Sequence, residues 1–396
     1  MSSTCLSDAS PSLRVVFLIR SLQPGGAERQ LVTLSRNLNT RGFSVTIVTF
    51  YPGGLLENDL HDLPNVQVVS ANKRGRWDIV GFMWRLLKLV RKVRPHIIHG
   101  YLYGANEVAL IAGCAVHSRV AWGVRSSALD MRYYDWLTRI LFKIGARLSP
   151  LVDVIIANSE AGHRSHLQFG YPARRFVVIP NGINTDVFCR DTAGRQRVRM
   201  QWNIREDDVL IGIVARIDPM KDHETFLRAA ANCANSNQTV RFVAVGQGAD
   251  ESVSRLKAIA ERLGIARQVV WAGARQDMAA VYSAIDIVTS SSAFGEGFSN
   301  CLAEAMACEA NCVATDVGDA RIILGDAAEY VSPKEPEALA LAWQKLLAAT
   351  PEQRAILGRR ARARIVSEFS VEMLASRTAE VLRRVVVSSR ADSLSV

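Results

Sequence analysis

The chain has 396 residues, 49% of them hydrophobic and 22% charged, a balance that excludes a disordered polypeptide and suits two domains at roughly 100–200 residues each. Lys and Arg number 48 against 38 Asp and Glu, a net charge of +10, which favours an anionic partner: nucleic acid, an acidic membrane or a phosphorylated substrate. Seven scattered cysteines without a CxxC pair argue against a disulfide framework or a zinc site and for a reduced compartment. No apolar run reaches the ~18 residues of a membrane span, and Val15 to Ile19 is too short for a signal-peptide core, so a cytoplasmic location is expected.

In chain order, residues 1–12 read as a polar, Ser-rich tail. Leu13 to Ile19 is a β-branched run closed by Gly25-Gly26, the signature of a buried strand. A helix with Leu31, Leu34 and Leu38 on one face follows, ended by Gly42, and Val45 to Phe50 is the next strand. The alternation continues with strands at 66–70, 96–99, 119–124, 153–157 and 176–179 and helices at 79–94, 104–115, 134–148 and 160–168. Strand–helix–strand order with short connections predicts a parallel sheet.

Pro180 to Asn184 is rich in turn residues, and a linker runs from there to Asp191. After a helix at 194–201, a second series begins at Val209 to Ala215. Its strands fall at 240–246, 268–273, 285–289, 311–315 and 328–331 and its helices at 221–234, 251–263, 278–283, 300–308 and 335–348. Helices at 351–367 and 371–387 end the chain. Two such halves predict an α/β chain of two doubly wound, Rossmann-like domains facing a central cleft, because open α/β sheets bind ligands at the carboxyl ends of their strands.

The segment from Ser290 to Ala307 leads from a strand into a helix and carries Glu296 in a Gly-rich loop and Glu304 inside the helix. Gly295 and Gly297 allow close backbone approach. Amides at the helix start can receive an anion or a hydroxyl. Two placed carboxylates can accept from several hydroxyls, which suits sugars better than a base edge. The bland alternative is a loop with two solvated glutamates, since acidic residues are common near helix starts.

This Glu-x7-Glu segment resembles the donor-binding motif of retaining glycosyltransferases of the GT-B fold, in family four. Gly25-Gly26-Ala27-Glu28-Arg29 resembles that family's N-terminal glycine loop. Val178 to Phe188 resembles its interdomain signature, Arg216 to Lys221 its diphosphate-binding pair, Thr315 to Gly318 the loop after the glutamate motif, and Phe369-Ser370 the hinge where the last helix crosses back. The pieces stand in the right order over residues 14–385.

The resemblance implies an acceptor-side domain over 1–182, a nucleotide-sugar domain over 183–368 and a returning helix and tail over 369–396. It implies donor contacts from Gly25, Gly26, Arg216, Lys221, Glu296, Gly297, Phe298, Ser299, Asn300 and Glu304, with His99, Arg216, Lys221 and Glu296 at the chemistry. Arg216 and Lys221 suit a departing diphosphate, whose negative charge grows as the glycosidic bond breaks. Glu304 would hold the ribose hydroxyls and Glu296 would lie near the transferred sugar. The family often has a His-x-His pair where this chain has His99-Gly100-Tyr101. The expected reaction is transfer of a hexose-type sugar, with retention and without a metal, from a nucleotide sugar to a glycan or lipid-linked acceptor in cell-surface polysaccharide synthesis.

No Asp-x-Asp occurs, no cofactor is expected, and His163 and His166 alone do not make a metal site. The competing readings are a nucleotide-sugar epimerase or phosphorylase on a similar two-domain plan and a non-catalytic sugar-nucleotide-binding subunit. Asn106, Arg125, Ser126 and Asp130 fall near strand ends on the acceptor side, where a structural role is the first expectation for each. Two apolar segments with basic flanks, Arg74 to Arg94 and Tyr133 to Lys143, suit either ordinary crossover helices or peripheral contact with the inner face of an anionic membrane. The basic run Arg359 to Arg364 reads as a solvated helix face, with no nucleic-acid motif beside it.

Overall fold

The structure is a computed structural model and describes residues 12–125, 127, 136–234 and 239–388. The first sheet takes β1 (Leu13–Ile19), β2 (Phe43–Thr49), β3 (Val66–Ser70), β4 (Ile97–Tyr101), β5 (Arg119–Val124), β6 (Val154–Ala157) and β7 (Phe176–Val178). Between them run α1 (Gly26–Asn39), α2 (Ile79–Val93), α3 (Ala105–Val116), α4 (Trp136–Leu148) and α5 (Glu160–Gln168). All pairs are parallel, in the order β3-β2-β1-β4-β5-β6-β7.

After α6 (Thr192–Gln201) the second sheet collects β8 (Val209–Val214), β9 (Val240–Val245), β10 (Val269–Gly273), β11 (Ile287–Ser290), β12 (Asn311–Thr315) and β13 (Glu329–Val331). Its order is β10-β9-β8-β11-β12-β13, again parallel throughout. The associated helices are α7 (His223–Ala234), α8 (Asp250–Arg262), α9 (Met278–Ala284), α10 (Asn300–Ala307), α11 (Ala320–Leu324), α12 (Pro336–Ala348), α13 (Pro351–Glu368) and α14 (Val371–Val387).

Both sheets are covered on both faces, so the central strands are apolar along their whole length rather than alternating: β1 is Leu-Arg-Val-Val-Phe-Leu-Ile and is closed to solvent from Val15 onward. The strand order reverses direction between β1 and β4 in one sheet and between β8 and β11 in the other. Those switch points are where open α/β sheets leave a crevice for ligands.

The halves are joined at a narrow waist. The Ile183 amide donates to the Phe369 carbonyl at 2.8 Å, and the Val371 amide to the Ile183 carbonyl at 3.1 Å. From there α14 returns to the first sheet, where Leu374, Ala375, Ala379 and Leu382 pack in one core with Leu31, Leu34 and Leu38 of α1.

Several local features depart from the sequence reading. α11 and a 3₁₀ turn at Leu55–Leu60 form where no element was expected; both are too short for apolar periodicity to register. β4 runs two residues past His99, to Tyr101. The basic run on α13 is only partly a solvated face: Arg362 donates to the carbonyls of Phe188 (2.9 Å) and Thr185 (3.0 Å), and Arg364 to those of Ile323 (3.0 Å) and Ile322 (2.7 Å). Guanidinium groups thus close orphan carbonyls of neighbouring elements.

Candidate functional site

Loops at the carboxyl ends of β1, β5, β6, β7, β8 and β11 converge on a cleft of about 660 Å³ between the two domains. The β8 loop is shaped by Asp218, whose side chain accepts from the Met220 amide at 3.0 Å and the Lys221 amide at 3.3 Å. That cap turns the chain through Pro219–Lys221 and projects both basic side chains of the segment toward the cleft. Arg216 is mostly exposed and lies 3.1 Å from Asp218, whereas Lys221 is largely enclosed and bonds to Glu296.

The β11 loop is tied to the β8 loop at Ser291, Ala293 and Glu296. Ser291 Oγ donates to the carbonyls of Lys221 (3.0 Å) and Asp222 (3.1 Å), and the Ala293 amide to the Met220 carbonyl at 2.8 Å. Glu296 is buried and accepts from Ser292 Oγ at 2.8 Å as well as from Lys221. Gly318 explains why the loop after β12 matters here. At φ +67° it lies against the Glu296 carbonyl, and a Cβ would stand 2.4 Å from that oxygen. The chain then enters α10 at Ser299, so the helix N-terminus, with its free amides and positive dipole end, opens on the same cleft as Lys221 and Arg216. Such an arrangement binds an anion.

Glu304 lies one turn further along α10 and lines an adjoining cavity of about 630 Å³, with Arg29, Gln276 and Asp277 also in its wall. Its carboxylate accepts from the Tyr282 hydroxyl at 2.8 Å. Burial raises its pKa to about 7, against the opposing effects of the Tyr282 hydrogen bond and the Arg29 charge. Both cavities meet α10, the first at Asn300 and Cys301 and the second at Glu304, one helical turn further on.

Gly26, Arg216, Lys221, Glu296, Gly297, Phe298, Ser299 and Asn300 are brought together in the main cleft, with Glu304 next door. Gly25 caps α1 beneath the Glu28 carboxylate and is not in the wall, although Gly26 is.

His99, expected at the cleft edge, lies below it instead. Because β4 extends to Tyr101, His99 falls mid-strand on the face shared with Ile97 and Tyr101. Its ring packs 5.1 Å from Phe17 and 5.5 Å from Tyr101, and it is closed to solvent. Burial and the nearby Arg125 charge pull its pKa down to about 3.

In the first domain, Asn106 is structural, exchanging two 3.1 Å hydrogen bonds with the backbone of Gly123. Ser126 and Asp130 lie outside the described residues. Arg125, Ser127, Asn158 and Asn181 form the first-domain wall of the cleft. Of these Arg125 carried a signal in the sequence through its place after a strand, and Asn181 lies in the segment that resembles the interdomain signature; Ser127 and Asn158 carried none. Asn181 donates to Asn300 at 2.9 Å across the cleft, and Asp319 accepts from the amides of Glu160 and Ala161, both at 2.8 Å. Among the described residues no group of three or more His, Cys, Asp or Glu side chains gathers in a metal-binding arrangement.

A model of the family described as glycosyl transferases group 1 matches residues 194–364, and one for glycosyltransferase family 4 matches residues 24–187. D-inositol 3-phosphate glycosyltransferase of Mycobacterium ulcerans is 29% identical over 226 residues, covering 55% of this chain and 47% of the relative. The enzyme of the same description from Segniliparus rotundus is 30% identical over 215 residues, covering 52% and 47%. The matches thus span about half the length of these relatives. Among solved structures, Anabaena HepE in complex with UDP and glucose is similar with a TM-score of 0.82 at 22% identity, over 94% of this chain and 99% of that one.

Proposed function

Since the chain belongs to the glycosyltransferases of group 1, with an N-terminal half of glycosyltransferase family 4, we propose that it transfers a hexose from a nucleotide sugar to a glycan or lipid-linked acceptor. The observation that carries this reading is the convergence of Lys221, Arg216 and the α10 N-terminus on one cleft, with Glu304 one turn along the same helix in the wall of a second cavity. A nucleoside diphosphate sugar fits that sequence of groups. Its diphosphate meets the two cations and the helix amides, its ribose hydroxyls meet the Glu304 carboxylate, and its hexose lies by Glu296 to Asn300. Residues 1–182 serve as the acceptor domain, 183–368 as the donor domain, and 369–396 as the returning helix and tail.

Transfer proceeds with retention. The bond from the anomeric carbon to the diphosphate oxygen breaks, the acceptor oxygen bonds to the same face, and its proton passes to the departing phosphate. Arg216 and Lys221 stabilise the growing negative charge, and no metal is needed for that step. His99 lies beneath this cleft, buried and with both ring nitrogens without a hydrogen-bond partner. Melting-temperature shifts with UDP-, GDP- and ADP-sugars test the donor reading, since a ligand of the folded state raises Tm. An isomerised donor or a free sugar phosphate as product favours the epimerase or phosphorylase reading. Donor binding without turnover favours the non-catalytic one. An inverted anomer in the first-formed product removes retention, and loss of activity in a chelator removes metal independence.

The acceptor domain also meets an anionic membrane, in keeping with a lipid-linked acceptor and a role in cell-surface polysaccharide synthesis at the inner face of the cytoplasmic membrane. No described helix is long and apolar enough to cross a bilayer. Trp77, Val80 and Trp84, 84%, 83% and 65% exposed, stand at the start of α2, with Arg76 and Lys88 over the two indole rings. Because α2 follows β3, its first turn lies on the cleft edge of the sheet. Of the second segment read as interfacial, residues 133–135 are outside the described part, and Ile140 and Ile144 are exposed on α4. Flotation with phosphatidylglycerol vesicles at low salt should carry the protein, and Trp77→Ala with Trp84→Ala should reduce it severalfold; no flotation of the unaltered chain removes the membrane contact.

A further inference from the structure

The cations of the cleft are not equivalent. Lys221 bonds to Glu296 and Arg216 to Asp218. Arg125, on the opposite wall, has no acidic partner among the described residues. Its Nε and Nη1 are enclosed and without a hydrogen-bond acceptor. The guanidinium lies over the Tyr101 ring, 4.2 Å from its centroid, and Tyr101 is itself buried with its hydroxyl unpartnered.

The aromatic platform holds the planar group but supplies no formal negative charge. An arginine stays protonated in a protein, so a nearly enclosed guanidinium without a counterion is held at a standing desolvation cost. The neutral neighbours in the same wall, Ser127, Asn158 and Asn181, are the groups that suit sugar hydroxyls. The diphosphate of the donor has its own cations and helix amides on the facing wall. What lies between the donor sugar and the first-domain wall is the acceptor.

Resting on the donor reading above, we infer that Arg125 is the receptor for an oxyanion, a carboxylate or phosphate, carried by the acceptor close to the hydroxyl that is glycosylated. The planar fork matches either group bidentately. The acceptor class is thus an acidic or phosphorylated sugar, and Arg125 acts as a specificity determinant against neutral ones.

Calorimetric titration of the full chain tests this with UDP present and glucuronate, glucose 6-phosphate or neutral glucose as probe, in the unaltered protein, Arg125→Gln and Arg125→Lys. At least one anionic probe should bind roughly ten- to hundredfold more tightly than glucose, the gain of a charge-assisted hydrogen-bonded pair. Which of the two it is separates carboxylate from phosphate. Arg125→Gln should abolish the preference, Arg125→Lys should keep part of it, and UDP affinity should stay within about twofold in both. Without ligands Arg125→Gln should melt no lower than the unaltered chain, because it removes an enclosed charge that no described carboxylate offsets.

Equal binding of glucose and both anionic sugars overturns the inference, as does a marked fall in melting temperature with the anion preference intact, which would make Arg125 structural. A tenfold loss of UDP affinity in Arg125→Gln assigns the cation to the donor and also overturns it. Failure of UDP, GDP and ADP alike to bind the unaltered protein overturns the donor reading itself, an outcome distinct from nucleotide binding without anion selectivity.

Discussion

Across the cleft, two walls built on the same doubly wound plan hold their charge differently. On the second-domain wall Lys221 is neutralised by Glu296 and Arg216 by Asp218, and the β8 and β11 loops are hydrogen-bonded to one another at Ser291, Ala293 and Glu296. On the first-domain wall Arg125 carries a charge that no described carboxylate balances, and His99 lies buried in the core beneath it. A wall with paired cations is organised before any ligand arrives, and on the donor reading proposed above an incoming diphosphate exchanges one set of anionic partners for another. Such an exchange costs little reorganisation, which is what a site for developing charge requires. An unpaired cation gains its partner only from the ligand, which gives selectivity instead.

The largest expected effect follows from the paired wall. Lys221→Ala should lower kcat at saturating nucleotide sugar by on the order of 10²–10³, the usual penalty for removing one group that stabilises developing negative charge. It also strips the buried Glu296 of its cation, so Lys221→Ala combined with Glu296→Gln should fall short of the sum of the single effects. Steady-state kinetics of the three variants decides this. A loss below threefold for Lys221→Ala would mean that the two walls do not divide the labour as described.

A smaller effect separates the phosphate end of the donor from its ribose end. Burial raises Glu304 to about 7, above the ordinary 4.5. Between those values the folded protein holds a proton that the unfolded chain has released, so this group's contribution to stability declines as pH rises through that window. Nucleotide binding runs the other way, because only the carboxylate form accepts from two hydroxyls at once. The Kd for UDP should therefore fall as pH rises from 6 to 8, by at most about tenfold per unit below the pKa, and Glu304→Gln should bind more weakly and show no such slope. Calorimetry at three pH values checks the sign. An inverted slope would place the ribose elsewhere.

The second-domain wall was legible in the sequence and the first was not, for a physical reason. Glycines at 295, 297 and 318, the charges at 216 and 221 and the glutamates at 296 and 304 sit in short loops after strands, so order along the chain translates into neighbourhood in space. His99 lies deeper than its place near a strand end implied, because a central strand of a parallel sheet is buried on both faces and β4 runs two residues further. Arg125 was visible as a residue near a strand end, but whether a charge is paired depends on side chains drawn from β4 to β6 and from the facing domain. Arg362 and Arg364 lie in a helical pattern that looks solvated, and only the packing of α13 against α11 and the waist reveals the carbonyls they close.

The smallest expected effect concerns what keeps the walls facing each other. Asp319, 2% exposed, sits one residue beyond the glycine that supports the Glu296 loop, and its carboxylate accepts from two amides at the start of α5 in the other domain. It caps a helix across the cleft, using the positive end of that helix as well as its free N–H groups. Replacing a cap by alanine costs about 1 kcal/mol. On the donor reading proposed above, that cost falls on the form in which the two walls meet across the donor and appears as a fivefold weaker KM, roughly, at nearly constant kcat. Asp319→Ala should show that split together with a Tm lower by about 2 °C, and Asp319→Asn, which keeps one acceptor, should lie between. A loss confined to kcat would instead tie Asp319 to the Glu296 loop beneath which it lies. An unchanged KM would leave the Asn181–Asn300 bridge as the contact that sets the distance between the walls.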